Sequence, residues 1–99
     1  MSEAAVWFAA RTTGAPSALR ARAAEYLGRI PAGGTVASRL AAAATLALTG
    51  VLDRGRERSA ALDLLTADSL LTLALLAQAE ARPEELERFA ADFVSSTAA

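Results

Sequence analysis

The amino-acid sequence predicts an all-α fold, a compact bundle of five or six short helices with no strands. Apolar residues recur every three or four positions, as they do along one face of an α-helix. Gly and Pro stand between these segments, where they end one helix and begin the next. No segment alternates apolar and polar residues over the length of a strand. At 99 residues the chain has the size of one domain, so residues 1–99 are expected to form a single unit.

The composition favours a core of aliphatic side chains and disfavours catalysis. Hydrophobic residues make up 54% of the chain and aromatic residues only 5%, so the helices must pack mainly through Ala and Leu. The chain contains no Cys and no His. Disulfides, thiolate nucleophiles and Cys-ligated metals are therefore excluded, and the side chain that most often exchanges protons near neutral pH is missing. We expect no catalytic, cofactor-binding or metal-binding residue and no enzyme activity.

Capping residues and breakers delimit the first three helices. Ser2 is the predicted N-cap of a helix reaching about Thr12, and a second helix covers about residues 17–29. Thr35 follows a Pro-Ala-Gly-Gly break and is the predicted N-cap of a third helix that reaches about Asp53. The predicted apolar stripes are Val6, Trp7 and Ala10, with Phe8 to one side; Leu19, Ala23, Tyr26, Leu27 and Ile30; and Leu40, Ala44, Ala47, Leu48, Val51 and Leu52.

The C-terminal half contains a charged connector, a Leu-rich stretch and a final helix. Residues 53–58 are predicted to be an exposed loop without a dedicated ligand. Residues 59–81 form either one helix or two, with a break near residues 66–68. Pro83 suits the first turn of the last helix, whose stripe is Leu86, Phe89, Ala90 and Phe93, and a short polar tail is expected from about residue 95 to residue 99.

Charge is distributed unevenly along the chain. Residues 11–58 hold eight Arg and three acidic residues, whereas residues 59–99 hold two Arg and seven acidic residues. Such asymmetry could serve head-to-tail association or capture of a charged partner. We favour pairing of the two halves within one fold, in which exposed ion pairs contribute about 0 to 1 kcal/mol each.

Membrane and nucleic-acid partners are not expected. The longest uncharged runs, residues 40–52 and 69–79, are shorter than the roughly 20 apolar residues of a membrane span. The acidic N-terminus does not resemble a secretory signal, so a cytoplasmic location is predicted. Arg54, Arg56 and Arg58 could contact phosphates, but the net charge is −1 and acidic residues lie among them.

Asp68 is the predicted structural polar site. On a continuous helix it would point towards Leu64, Leu71 and Leu75, with Thr72 one turn further on. A buried carboxylate is costly unless it is paired or hydrogen-bonded. We favour a cap or backbone acceptor at a helix break, then an ion pair with Arg39, then a ligand or catalytic role. In each case Asp68 should be hydrogen-bonded within the domain.

The third helix and the Leu-rich stretch lack a wide polar face, which suggests shielding by another subunit. The sequence therefore predicts a non-catalytic helical interaction module that self-associates or binds a protein partner. The predicted interaction face is Leu48, Leu52, Leu73 and Leu76, of which Leu48, Leu73 and Leu76 are expected to be buried. The alternative is a protein that binds a small apolar molecule between its helices; an enzyme ranks third.

Overall fold

The computed structural model describes residues 2–55 and 58–98, and these residues form an all-α bundle without strands. The five helices are α1 (Glu3–Arg11), α2 (Ser17–Gly28), α3 (Val36–Arg54), α4 (Arg58–Ala81) and α5 (Leu86–Ala98), and a 3₁₀ turn, Pro83–Glu85, precedes α5. The predicted fold class is confirmed. Because α4 is uninterrupted, the Leu-rich stretch is one helix.

The predicted N-caps of α1 and α3 are both present. The Ser2 hydroxyl accepts a hydrogen bond from the Ala5 N–H at 3.1 Å. At α3, the Ser38 N–H donates to Thr35 Oγ1 and the Thr35 N–H donates to Ser38 Oγ, both at 3.0 Å. This reciprocal capping box satisfies two backbone donors that the first turn of a helix otherwise leaves unpaired. Gly55, with φ +64°, ends α3.

Helices α3 and α4 make the most extensive helix pair and form the centre of the core. Their inward faces carry mostly small side chains. The fully or almost fully buried residues of this pair include Leu40, Ala43, Ala44, Ala47, Leu70 and Ala74. Small side chains allow two helix axes to approach closely. The radius of gyration is 12.8 Å, close to the value of about 13 Å typical of a compact 100-residue domain.

Both α3 and α4 are long and apolar enough to cross a membrane by length and composition. A core helix of a soluble protein meets the same two criteria. Here the two helices pack against each other and also contact the other three helices.

Helix α1 contacts the core along a different line from the predicted one. Ala4 and Phe8 are buried, whereas Val6 is 54% exposed. A helix of only nine residues buries a narrow line of side chains one turn apart, and Ala4 and Phe8 have that spacing. Trp7 packs against the edge of the core, where the Arg11 guanidinium lies 4.2 Å from its ring centroid. The predicted stripe of Val6, Trp7 and Ala10 was therefore wrong.

Helix α5 lies at the periphery. Phe89 and Phe93 pack against the core but are only half-buried, and none of residues 86–97 is fully buried. The helix continues to Ala98, so the prediction of a polar tail from residue 95 was wrong. The hydroxyls of Ser96 and Thr97 donate hydrogen bonds to the Phe93 carbonyl, which lets polar residues remain in the last turns.

Candidate functional site

Among the described residues, the fully buried carboxylate is that of Asp63, on the inward face of α4. Its side chain is 0% exposed. Arg22 of α2 donates two hydrogen bonds to it, from Nε to Oδ1 at 2.6 Å and from Nη2 to Oδ2 at 3.2 Å. Arg54, in the last turn of α3, contacts Oδ2 through Nη2. A bidentate guanidinium–carboxylate contact fixes geometry as well as charge, so Asp63 ties α2, α3 and α4 together.

The Asp63 cluster is nearly neutral and has no free acceptor facing a cavity. Arg22 Nη1 also lies 2.9 Å from Glu25 Oε2, so two guanidinium groups meet two carboxylates. The Arg22 guanidinium further lies 5.4 Å from the ring centroid of Tyr26. With both oxygens of Asp63 engaged by Arg, the arrangement suits a structural ion pair rather than the capture of a ligand.

The predicted polar site at Asp68, Arg39 and Thr72 is not formed. Asp68 and Thr72 are exposed, and Asp68 has no hydrogen-bond partner among the described residues. Arg39 is half-buried, and its Nε lacks a hydrogen-bond partner within the same part of the chain. Asp68 lies about 140° around the helix from Asp63, so burial of one places the other in solvent.

The error arose because α4 is apolar on both sides. The buried line of α4 consists mainly of small residues: Ala60, Asp63, Thr66, Ala67, Leu70, Ala74 and Ala77. The sequence pattern favoured the larger Leu side chains as the inward face. The spacing of Asp63, Ala67, Leu70, Ala74 and Ala77 alternates between four and three residues, which is the pattern of a packing face. Other faces of an α-helix have the same spacing, so the spacing alone could not have identified the inward face.

The connector after α3 differs in part from the predicted ligand-free loop. Asp53 and Arg54 belong to α3, and Arg54 is held by Asp63. Gly55 is exposed, as is Arg58 at the start of α4. Arg56 and Glu57 lie outside the described residues. The expectation of an exposed loop was therefore wrong for Asp53 and Arg54, whereas the absence of a dedicated ligand stays a prediction.

Ion pairs join the basic and acidic parts of the chain within the fold. Arg22 and Arg54 both pair with Asp63, and Arg11 Nη1 lies 3.2 Å from Glu80 Oε1. This is the pairing between halves that the charge distribution favoured.

The predicted interaction face divides between core and surface. Leu48 and Leu73 are half-buried and pack against the core. Leu52 is 75% exposed and Leu76 is 40% exposed. The expected burial is therefore absent for Leu76 within one chain and only partial for Leu48 and Leu73. Leu65 of α4, which the sequence analysis did not select, is 58% exposed. Exposed Leu side chains therefore occur near both ends of the α3–α4 pair.

A groove of about 690 Å³ lies between α3 and α5. The α3 side carries small residues, among them Ala42 and Thr45, and the α5 side carries Phe89 and Phe93. Charged side chains of α5, including Arg88 and Asp92, line the same groove. It is open to solvent rather than enclosed.

The described residues contain no group of three acidic side chains that could hold a metal ion. Three features of the described residues are candidates for function: the Asp63 cluster, the exposed Leu side chains and the α3–α5 groove. A scan against protein-family models and searches of curated proteins and of solved structures found no match.

Proposed function

We propose that this protein is a non-catalytic helical interaction module that self-associates through the outward face of α4. The observation that supports this most directly is the exposure of Leu65 and Leu76 on a helix whose opposite face already forms the core. Leu65 is 58% exposed and Leu76 is 40% exposed, so part of each side chain remains in water. Leu64, next to Leu65, is also 52% exposed, and grouped apolar side chains on a surface commonly mark a contact site.

The outward face of α4 has the spacing of a helix–helix seam. Its members are separated by four, three, four and three residues: Leu65, Ser69, Thr72, Leu76 and Ala79. Each of these is exposed or half-buried. This spacing keeps one line of side chains facing a partner helix, as in coiled coils. The small residues between the two Leu allow a partner helix to approach closely.

A second copy of the chain is the partner that this face fits best. Its charged neighbours are Arg58, seven residues before Leu65, and Asp68. The face therefore carries charges of both signs and no single-sign patch that would select a different protein. The chain as a whole has a formal net charge of −1, and two copies therefore repel each other little. Two α4 helices from identical chains would each cover the exposed Leu side chains of the other.

Molar mass in solution tests this proposal. Light scattering coupled to size-exclusion chromatography should give a mass above that of the monomer at high micromolar concentration. The double substitution Leu65→Gln and Leu76→Gln should lower the mass without reducing helix content. The matched control is Val6→Gln with Val94→Gln, because those two side chains are similarly exposed but lie on other helices. A monomeric wild-type protein, or a double variant of unchanged mass, would refute the proposal.

A further inference from the structure

Helix α5 and the groove beside it form an unfilled surface separate from the outward face of α4. None of residues 86–97 is fully buried, and the apolar wall of the groove, Phe89 and Phe93, keeps part of its area in water. The facing wall on α3 contains Ser38, Ala42 and Thr45. These short side chains would let a further helix lie close to α3.

The charges on the α5 side of the groove would pair with those of a second, antiparallel copy of α5. Arg88 and Asp92 are one helical turn apart, and both line the groove. Neither forms an ion pair with another described residue, whereas the neighbouring Glu85 is held by Arg82 at 2.7 Å. An antiparallel helix with the same sequence presents Asp92 where the first helix presents Arg88, and the reverse.

We propose that the groove receives α5 of a second copy, packed antiparallel about a twofold axis. Arg88 of each copy then faces Asp92 of the other, so one type of contact is made twice, as in an isologous interface. Each α5 also lies against the small residues of the other copy's α3, which covers Phe89 and Phe93. This inference rests on the proposed self-association and gives it a second contact surface.

A second copy suits the groove better than a small apolar molecule. Small-molecule sites usually enclose most of the ligand surface, whereas this groove is largely open to solvent. Its lining also includes Arg88 and Asp92, a turn apart, and an apolar molecule would leave both unpaired. A helix in the groove fills its length and pairs both charges.

Two separate self-contacts, one on α4 and one on α5, would build assemblies larger than a dimer. The α5 contact is therefore best tested where the α4 contact has been removed. In the Leu65→Gln, Leu76→Gln background we expect a dimer by sedimentation velocity. Adding Arg88→Asp should raise the dimer dissociation constant about tenfold or more, because two ion pairs become two like-charge contacts. Adding Asp92→Arg to that variant should restore the dimer, since the charges are exchanged on both copies.

The control is Glu87→Arg, which reverses a charge on α5 at an exposed position that does not line the groove. It should leave the dissociation constant unchanged. If Arg88→Asp lowers helix content, Asp92→Arg alone provides the same test from the other side of the pair. Failure of the charge exchange to restore the dimer would overturn the inference.

The possible outcomes separate this inference from the proposed function. A wild-type dimer that the α4 substitutions reduce to a monomer would retain the proposed function and refute the α5 contact. A wild-type mass unaffected by the α4 substitutions but lowered by Arg88→Asp would support the α5 contact and refute the α4 contact. A monomer that carries an apolar molecule in native mass spectrometry would overturn both.

Discussion

Replacing Asp63 by Ala removes the carboxylate that joins three helices. The side chain is completely buried and accepts from Arg22 through both oxygens, while Arg54 contacts one of them. After the substitution, two guanidinium groups remain in the same place without their shared counter-charge. The cost therefore includes the lost contacts, the repulsion between two cations and a small cavity.

The expected loss is about 3 kcal/mol of unfolding free energy. Breaking a buried ion pair by removing one partner costs roughly 3 to 5 kcal/mol. The lower end applies here because the side chains of Arg22 and Arg54 are 28% and 29% exposed and can regain some hydration. In a domain of this size each kcal/mol corresponds to about 4 to 8 °C in Tm, so Tm should fall by about 12 to 24 °C.

Urea unfolding followed by circular dichroism measures this loss, with Asp68→Ala as the matched control on the same helix. Because Asp68 is exposed, its replacement should change stability by less than about 0.5 kcal/mol. Replacing Asp63, Arg22 and Arg54 together by Leu, Met and Met should recover much of the loss, since no stranded charge remains. An Asp63→Ala variant within about 1 kcal/mol of wild type would contradict the reasoning.

Three further substitutions test the packing and capping of α3 and α4 in the same unfolding assay. Leu70→Ala should cost about 2 to 5 kcal/mol, because the side chain is fully buried and leaves a cavity; a cost below about 1 kcal/mol would argue against a packed core there. Ala74→Leu should also lower the unfolding free energy, by about 1 to 3 kcal/mol, because the buried Ala leaves no room for a larger side chain. A more stable variant would contradict this. Thr35→Ala should cost about 1 kcal/mol through loss of the capping box, and Thr35→Asn should retain most of that stability.

The helix order was predictable because its determinants are local. Ser2 and Thr35 cap their own first turns, and Pro83 begins the turn that leads into α5. Each of these effects depends on a few neighbouring residues, and the sequence displays them directly. The helical continuation through Ser96 and Thr97 was missed because hydroxyl side chains also favour non-helical ends.

The inward face of α4 was not predictable from hydrophobicity alone. Leu65 and Leu76 are more apolar than Ala67 and Ala74, yet the Ala side chains are buried. The deciding factor is the close approach to α3, which brings its own buried Ala residues to the contact. Close packing of α4 on α3 depends on the side chains of both helices. The inward face can therefore be predicted only when both helices are considered together.

The polar site was misplaced for a related reason. A buried carboxylate paired with Arg was among the alternatives, but the residues chosen were Asp68 and Arg39. The real partner Arg22 lies 41 residues from Asp63 in the chain, and no local pattern connects them. Once Asp63 faces inward, its pairing with Arg follows from the cost of burying charge.

The two partners of Asp63 differ greatly in sequence distance, and this bears on the order of folding. Arg54 lies just across the short connection between α3 and α4, and the pair it forms with Asp63 closes a small loop. Contacts of low sequence separation form early, whereas distant ones must wait for a large loop to close. Truncating Arg54 to Ala should therefore slow refolding in stopped-flow experiments, whereas truncating Arg22 should mainly accelerate unfolding. Asp63 thus stabilises first the α3–α4 hairpin, through Arg54, and later the packed position of α2, through Arg22.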